Sequence, residues 1–201
     1  SIDKVLDTHL KHAEFIIFDE VHEFSKGKFS TKVIKSFPKA SYRIGMTATV
    51  PKDKVALLNL ISALGKVVTE VTATELIDLG FLTNPKIHIL PAPPAPLDIK
   101  DSYIDVYRKA ITENKLRNEL IASIVEKIKE HPSKTLILVK DLNHAKMLQE
   151  IIPDSLKLEG KDGLSVRHDT VKEFVGLKTG VLIATTIFQT GVDIPEITHL
   201  V

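Results

Sequence analysis

The sequence has 201 residues, 43% of them hydrophobic, and is therefore long enough for one large domain or two small ones. A formal net charge of only +1 and the absence of cysteine exclude a polycationic chain, a disulfide scaffold and cysteine-based zinc sites. No apolar run is long enough to span a bilayer and the first residues do not form a signal peptide, so we expect an intracellular protein with no membrane partner.

Short apolar runs alternate along the chain with longer helical patterns, as is typical of parallel sheets covered by helices. Most of these runs are continuous rather than alternating in polarity, which favours strands buried on both faces. The sequence thus predicts an α/β fold. The predicted strands span residues 15–18, 42–45, 67–71, 86–90, 135–139, 156–158, 181–184 and 199–201.

Helical patterns fill the intervals between the predicted strands. One runs from an N-terminal cap at Asp53 to a stop at Gly65, and a longer pattern begins at residue 101 and ends before Pro132. Within the longer pattern, Tyr103 and Tyr107 have the spacing of a stripe that faces the core.

A proline-rich segment separates the two halves of the chain. The stretch LPAPPAPLD, residues 90–98, contains four prolines, so it favours a stiff, extended linker over a helix or an interior strand. We predict a first domain over residues 1–90, a linker over 91–98 and a second domain over 99–201.

An acidic cluster follows the first predicted strand, where FIIF leads directly into Asp19, Glu20 and His22. Carboxylates at the carboxyl end of a parallel strand can hold Mg²⁺ through water and accept a proton from an attacking water. The alternative is a solvated acidic loop. The residues do not favour a zinc site of the HExxH type, because Lys26 stands where the second histidine would be.

Two further polar clusters follow later strands. Thr47 and Thr49 come after the second strand and could hydrogen-bond across a cleft, although capping threonines in a loop are the alternative. The stretch ATTIFQTGVDIP, residues 184–195, contains Gly191 and Asp193, and its tight backbone favours phosphate contact through exposed N–H groups.

In this order, the three clusters resemble the ATP-dependent helicases and translocases of superfamily 2, the DEAD/DEAH-box relatives. DEVH at 19–22 looks like motif II, TAT at 47–49 like motif III, and residues 184–195 like motif V. Within the superfamily, the sequence most resembles the DEVH-type DNA helicases of phages and bacteria and the motor subunits of restriction enzymes. The resemblance implies two RecA-like domains, with ATP and Mg²⁺ as cofactors, in a helicase, translocase and ATP hydrolase.

The resemblance assigns roles in the first domain residue by residue. Asp19 would hold Mg²⁺, through water, on the ATP phosphates, and Glu20 would orient or activate the hydrolytic water. His22, Thr47 and Thr49 would couple that site to the moving domain.

In the second domain, Gly191 and Asp193 would approach the nucleotide, while Thr185 and Thr186 would contact the nucleic-acid backbone. Two basic residues, Lys140 and Arg167, occupy places where such motors contact the backbone or brace motif V, the alternative for each being an ordinary surface charge.

The sequence departs from the family pattern at both ends. No G-x-x-x-x-G-K-[ST] motif occurs, and the chain stops before motif VI, which would supply the arginine finger. We therefore expect both RecA-like domains to be incomplete here, an internal piece of a longer motor, and expect this chain alone to be inactive as an ATPase.

The resemblance implies nucleic acid as the partner and favours DNA over RNA. It also implies a nucleic-acid-associated place in the cytoplasm of a bacterium or a phage-infected host. The competing hypothesis is a catalytically silent nucleic-acid-binding or scaffold module with the same fold. Oligomeric state does not follow from the sequence.

Overall fold

A computed structural model describes residues 10–25, 32–33, 36–98, 100–185 and 194–201. The chain divides into two compact units, Ser1–Ile87 and His88–Val201, and the proline segment falls at the beginning of the second. Each unit contains parallel strands with helices packed on them, as the predicted α/β class requires. Within the part that the structure describes, no helix is both long and apolar enough to cross a membrane.

The first unit is built on two parallel strands. Strand β1, Phe15–Phe18, pairs with β2, Tyr42–Gly45, in a register that aligns Phe18 with Gly45. The apolar runs form strands because their backbone groups pair with each other while Ile16 is buried beneath helix α1, Lys54–Leu64. Aligned carboxyl ends bring the residues that follow both strands to one edge.

Helix α1 shows how caps fix the ends of an element. The side chain of Asp53 accepts a hydrogen bond from the Ala56 N–H at 2.8 Å, and the helix ends at Gly65, whose φ of 91° suits a residue without Cβ. The predicted start and stop are both confirmed. A second helix, α2 at Ala73–Asp78, begins with a capping box made by Thr72 and Glu75.

The second unit has a four-stranded parallel sheet in the order β4-β5-β3-β6. Every residue of β5 is buried, and its side chains alternate between two cores: Val181 and Ile183 face one side, Leu182 and Ala184 the other. The unit is therefore a sheet between two helical layers. The strands are β3 at Lys134–Leu138, β4 at Ser155–Leu158, β5 at Gly180–Ala184 and β6 at His199–Leu200.

Four helices belong to this unit within the described ranges. They are α3 at Tyr103–Tyr107, which continues into a π-helical turn over Arg108–Thr112, α4 at Lys115–Lys129, α5 at Leu142–Ile151 and α6 at Leu164–Gly176. Val125 of α4 and Leu148 of α5 pack in one core, and Phe174 of α6 packs in the other.

Two predicted strands, 67–71 and 86–90, do not form. Both stretches are irregular in the structure, with Val68 and Ile89 each 90% exposed. Their β-branched residues favour an extended backbone, but a strand is stable only beside a partner, and no strand pairs with either stretch among the described residues.

The predicted tyrosine stripe is also wrong. Tyr103 is 74% exposed, whereas Tyr107 is half-buried. Tyr103 is the first residue of this short helix and is flanked by the exposed Ser102 and Ile104, whereas Tyr107, its last residue, lies beneath the ammonium group of Lys140.

Candidate functional site

The candidate site of the first unit lies where β1 and β2 end. Asp19 follows β1 directly, and Thr47 lies two residues beyond the end of β2. The Met46 N–H donates to the Phe18 carbonyl at 2.8 Å, and the Val21 N–H donates to the Met46 carbonyl at 3.0 Å. These two backbone bonds close the loops on each other and hold the acidic cluster against the threonine cluster.

Glu20 has an unusual backbone conformation. Its φ of 47° and ψ of 42° lie in the left-handed region, and it is the one non-glycine residue with positive φ among those described. For an L-residue this costs about 1–2 kcal/mol, and such strain persists only where the surroundings impose it. Here the hydrogen bonds that Met46 makes to Phe18 and Val21 impose the left-handed conformation. They thereby fix the direction in which the Glu20 side chain projects from the backbone.

Histidine 22 links the two clusters. Its Nδ1 lies 2.8 Å from Thr47 Oγ1 and 3.3 Å from Glu20 Oε2. An ionised carboxylate only accepts hydrogen bonds, so the Nδ1 that faces it carries the proton. His22 therefore donates to Thr47, with Glu20 as a second, longer acceptor.

The hydroxyl of Thr47 completes this network. Its oxygen accepts from the Thr49 N–H at 3.0 Å and also receives the His22 proton, while its own proton points to the Thr49 carbonyl at 3.2 Å. The three predicted coupling residues, His22, Thr47 and Thr49, are thus brought together. The network joins the carboxylate of Glu20 to a loop of the neighbouring strand.

The donor set fits a magnesium ion held mainly by water and phosphate. Asp19 is exposed, and its Oδ1 accepts from the Glu20 N–H at 2.9 Å, which orients the carboxylate outward. Mg²⁺ is commonly bound through one or two carboxylates plus substrate phosphates. A protein cage is not indicated, since no cluster of three metal-ligating side chains occurs in the described part of the chain.

The second unit brings its candidate residues to the carboxyl edge of its sheet. The register pairs Leu138 and Leu158 with Ala184, so β3, β4 and β5 end together. Thr185 follows β5, is 5% exposed, and donates its N–H to the Leu158 carbonyl at 3.2 Å. Gly191, Asp193 and Thr186 lie outside the described residues.

The two predicted basic contacts lie at this same edge but have different surroundings. Lys140 is exposed, and its Nζ is 5.4 Å from the centroid of the Tyr107 ring, a cation–π distance. Arg167 of α6 donates from Nε to the Asp162 carbonyl at 2.8 Å and from Nη2 to the Gly160 carbonyl at 2.9 Å. Lys140 is thus presented to solvent, whereas Arg167 holds a loop.

Sequence reasoning missed Glu159, the first residue after β4. It is 4% exposed and lies between two ammonium groups, Lys161 Nζ at 2.7 Å and Lys157 Nζ at 2.9 Å. The bond from Lys161, then that from Lys157, lowers the pKa of Glu159 to about 2. The signal was the K-x-E-x-K spacing, because residues two apart share a face of an extended chain.

The comparisons with known proteins extend over both units. Residues 3–52 match the family described as type III restriction enzyme, res subunit, and residues 115–201 match the helicase conserved C-terminal domain. A putative helicase of Sulfolobus islandicus filamentous virus is 25% identical over 92% of this chain. The ATP-dependent DNA helicase uvsW of Enterobacteria phage T4 is 21% identical over 91%. The matched region corresponds to 36% of the length of the viral relative and to 38% of the length of the phage relative.

Solved structures agree on the fold. S. cerevisiae Dbp5 bound to RNA and ADP BeF3 superposes with a TM-score of 0.59 at 16% identity, over 100% of this chain and 48% of that one. Mycobacterium smegmatis helicase Lhr bound to ssDNA and AMP-PNP gives a TM-score of 0.51 at 17% identity, over 96% of this chain and 25% of that one. The fold is that of RecA-like helicase domains. The two family matches, in their order along the chain, and the helicase relatives support a fragment of a superfamily 2 helicase.

Proposed function

We propose that this chain is part of an ATP-dependent DNA helicase or translocase of the DEVH type, in which hydrolysis of Mg-ATP drives movement along the nucleic-acid backbone. The observation that carries the proposal is the His22–Thr47 hydrogen bond of 2.8 Å beside Asp19 and Glu20. It joins a hydrolytic carboxylate to a second polar cluster, as a motor that converts chemistry into motion requires.

The roles follow from the chemistry of each side chain. ATP with Mg²⁺ supplies the phosphoryl group and neutralises its charge. Asp19 offers its outward carboxylate to the water shell of the metal, and the fixed backbone of Glu20 aims a second carboxylate at the attacking water. The Nδ1–H of His22, which points toward the Glu20 carboxylate, keeps that carboxylate oriented.

The network also provides a way to report the state of the site. A change of charge next to Glu20 shifts the Nδ1–H hydrogen bond of His22 between its two acceptors. These are Glu20 Oε2 at 3.3 Å and Thr47 Oγ1 at 2.8 Å. Thr47 passes the change to Thr49 through the bonds that tie the two threonines together. These residues act as coupling residues, with no part in bond cleavage.

In the second unit we propose that Lys140, Thr185, Thr186 and Arg167 contact or support the nucleic-acid backbone, and that Gly191 and Asp193 approach the nucleotide. Backbone contacts of this kind are independent of base sequence, which suits a protein that moves along its track. Two curated relatives are named as a helicase and a DNA helicase, and this supports DNA as the track. We place the activity on DNA in the cytoplasm of a bacterium or a phage-infected host.

Stimulated ATP turnover tests this function. The full-length gene product should hydrolyse ATP faster with DNA than with RNA of the same length, and should displace an annealed strand or a bound block only when ATP is hydrolysed. The 201-residue chain itself should show no turnover, because it contains no G-x-x-x-x-G-K-[ST] loop. Binding of DNA without any stimulated hydrolysis by the full-length product would favour the silent scaffold instead.

A further inference from the structure

The loop of residues 159–163 lies beside the start of motif V. It follows β4, whose last residue, Leu158, is paired with Ala184 of β5. The Thr185 N–H donates to the Leu158 carbonyl at 3.2 Å, so the residue after Leu158 is next to Thr185 at the same sheet edge. Anything bound at Thr185 therefore lies within reach of this loop.

A buried carboxylate organises the charges of this loop. The side chain of Glu159 is 5% exposed and accepts from Lys157 at Oε1 and from Lys161 at Oε2, at 2.9 and 2.7 Å. The side chain of Lys157 is 22% exposed, whereas that of Lys161 is 74% exposed. Lys157, the less exposed lysine, thus neutralises the carboxylate of Glu159. The positive charge of Lys161 remains and faces solvent.

The backbone of the loop is fixed independently. The side-chain Oδ2 of Asp162 accepts a hydrogen bond from the Glu159 N–H at 2.7 Å, and the Asp162 N–H donates to the Glu159 carbonyl at 3.1 Å. From the other side, the guanidinium of Arg167 donates to the carbonyls of Gly160 and Asp162. The loop is therefore held in one shape before any ligand arrives.

Lys161 is left with unused donors that point outward. An ammonium group has three N–H donors, of which Glu159 takes one. The bond to Glu159 also raises the pKa of Lys161, which keeps its charge at any pH near neutrality. A cation with two free donors, held in place at a sheet edge, suits a phosphate oxygen.

We propose that Glu159 is a positioning residue that holds Lys161 ready for a backbone phosphate of the DNA that passes Thr185. The proposal rests on the proposed function, since it takes DNA as the ligand. A long lysine side chain loses rotamer entropy when it binds a ligand. Because the bond to Glu159 already restricts the Lys161 side chain in the free protein, less entropy is lost when Lys161 binds a phosphate. Glu159 therefore strengthens the binding of an anion although it is itself an anion.

The direction of the effect separates this proposal from simple electrostatics. Glu159→Gln removes a negative charge, and charge alone would make DNA bind more tightly and with a steeper salt dependence. Loss of positioning predicts the opposite: weaker binding and a shallower salt dependence, because one phosphate contact is lost.

The experiment measures the affinity of the full-length gene product for a fluorescent duplex oligonucleotide at several salt concentrations between about 50 and 200 mM. We expect Glu159→Gln to weaken binding roughly fivefold and to lower the slope of log affinity against log salt by about 0.9. Lys161→Ala should give the same loss, and the double variant should lose no more than either single variant. Glu126→Gln is the matched control, since it breaks the 2.9 Å pair with Lys129 on α4.

Each other outcome has a definite meaning. Tighter binding by Glu159→Gln with weaker binding by Lys161→Ala would overturn the positioning role and leave the proposed function intact. Unchanged binding by Lys161→Ala, an exposed substitution that leaves the buried carboxylate in place, would overturn the phosphate contact. A wild-type full-length product that binds no DNA at all would contradict the proposed function, and the inference with it.

Discussion

At the scale of single residues, the site depends on a strained backbone at Glu20. Its left-handed φ of 47° is imposed by hydrogen bonds on both sides, Met46 to Phe18 and Val21 to Met46. Strain of this kind is found where a fixed side-chain direction is worth its cost in stability. At Glu20 the direction aligns the carboxylate with Nδ1 of His22, 3.3 Å away.

This strain makes a prediction about stability. Glu20→Gly and Glu20→Ala both remove the carboxylate, but only glycine adopts the left-handed region without cost. We expect the glycine variant to have a free energy of unfolding about 1 kcal/mol higher than the alanine variant, measured by urea denaturation. The same pair of variants at Glu23, in the 3₁₀ turn Val21–Phe24 that follows Glu20, should rank the other way. Equal stability of the two variants at position 20 would mean that the backbone there is unstrained.

At the scale of elements, the contact between β2 and α1 sets the distance between the sheet and its helix. A Cβ added to Gly45 would lie 2.6 Å from Leu64 Cδ1 and 3.2 Å from Val21 Cγ1. Leu64 could rotate away, but Val21 is buried and belongs to the loop that carries Glu20 and His22. Glycine at position 45 is therefore required for close packing directly beneath the site.

We expect Gly45→Ala to lower the free energy of unfolding by about 1–2 kcal/mol, since it overpacks this contact. Thermal or urea unfolding of the 201-residue chain measures it. Gly176→Ala is the control: apart from its chain neighbours and the backbone of its own helix, no atom lies within 4 Å of its added Cβ, and alanine is the better helix former at the end of α6. That variant should be as stable as the wild type or slightly more so. A neutral Gly45→Ala would show that the helix can move away without cost.

The elements also show which parts of the fold were predictable. Continuous apolar runs predicted the strands β1, β2 and β5, but burial on both faces is found only in β5, since Phe15 and Ile17 of β1 are exposed. The runs at 67–71 and 86–90 are also rich in β-branched residues, but neither is paired with a strand among the described residues, and pairing depends on distant residues. Local pattern predicts an extended backbone; it does not supply the partner strand.

The candidate site was predictable to a similar degree. The position of Asp19 and Glu20 after an apolar strand, and that of Thr47 after the next, follow from the topology of parallel sheets. The left-handed backbone of Glu20 and the burial of Glu159 between two lysines do not, because both depend on how loops close on neighbouring strands.

At the scale of whole units, a buried polar network crosses the second unit. His144 of α5 is 2% exposed and donates from Nε2 to Asn118 Oδ1 of α4 at 2.9 Å, and Asn118 donates to the Thr112 carbonyl at 2.9 Å. Burial, reinforced by the positive charge of Arg117 and opposed by Asp141, lowers the pKa of His144 to about 4. The network therefore ties both helices to the π-helical turn while His144 is neutral.

This network makes the second unit sensitive to acid. The unfolded chain binds a proton at His144 near its ordinary pKa of 6.5, whereas the folded unit resists it down to about 4. Stability is therefore complete above pH 6.5 and falls as the pH is lowered to 4, by a loss on the order of 2 kcal/mol after solvent screening is allowed for. Urea midpoints measured across this range test the prediction. His144→Gln should flatten the profile, and His168→Gln, which changes an exposed side chain, should not.

The proposed role of Glu20 is to activate the water that hydrolyses ATP in a DNA-stimulated motor. The most direct test is the DNA-stimulated ATPase rate of the full-length gene product beside its Glu20→Gln and Glu23→Gln variants. We expect Glu20→Gln to lower the rate by about 10²- to 10⁴-fold while ATP and DNA still bind, and Glu23→Gln to behave like the wild type. A Glu20→Gln variant that hydrolyses ATP at the wild-type rate would contradict the proposed role.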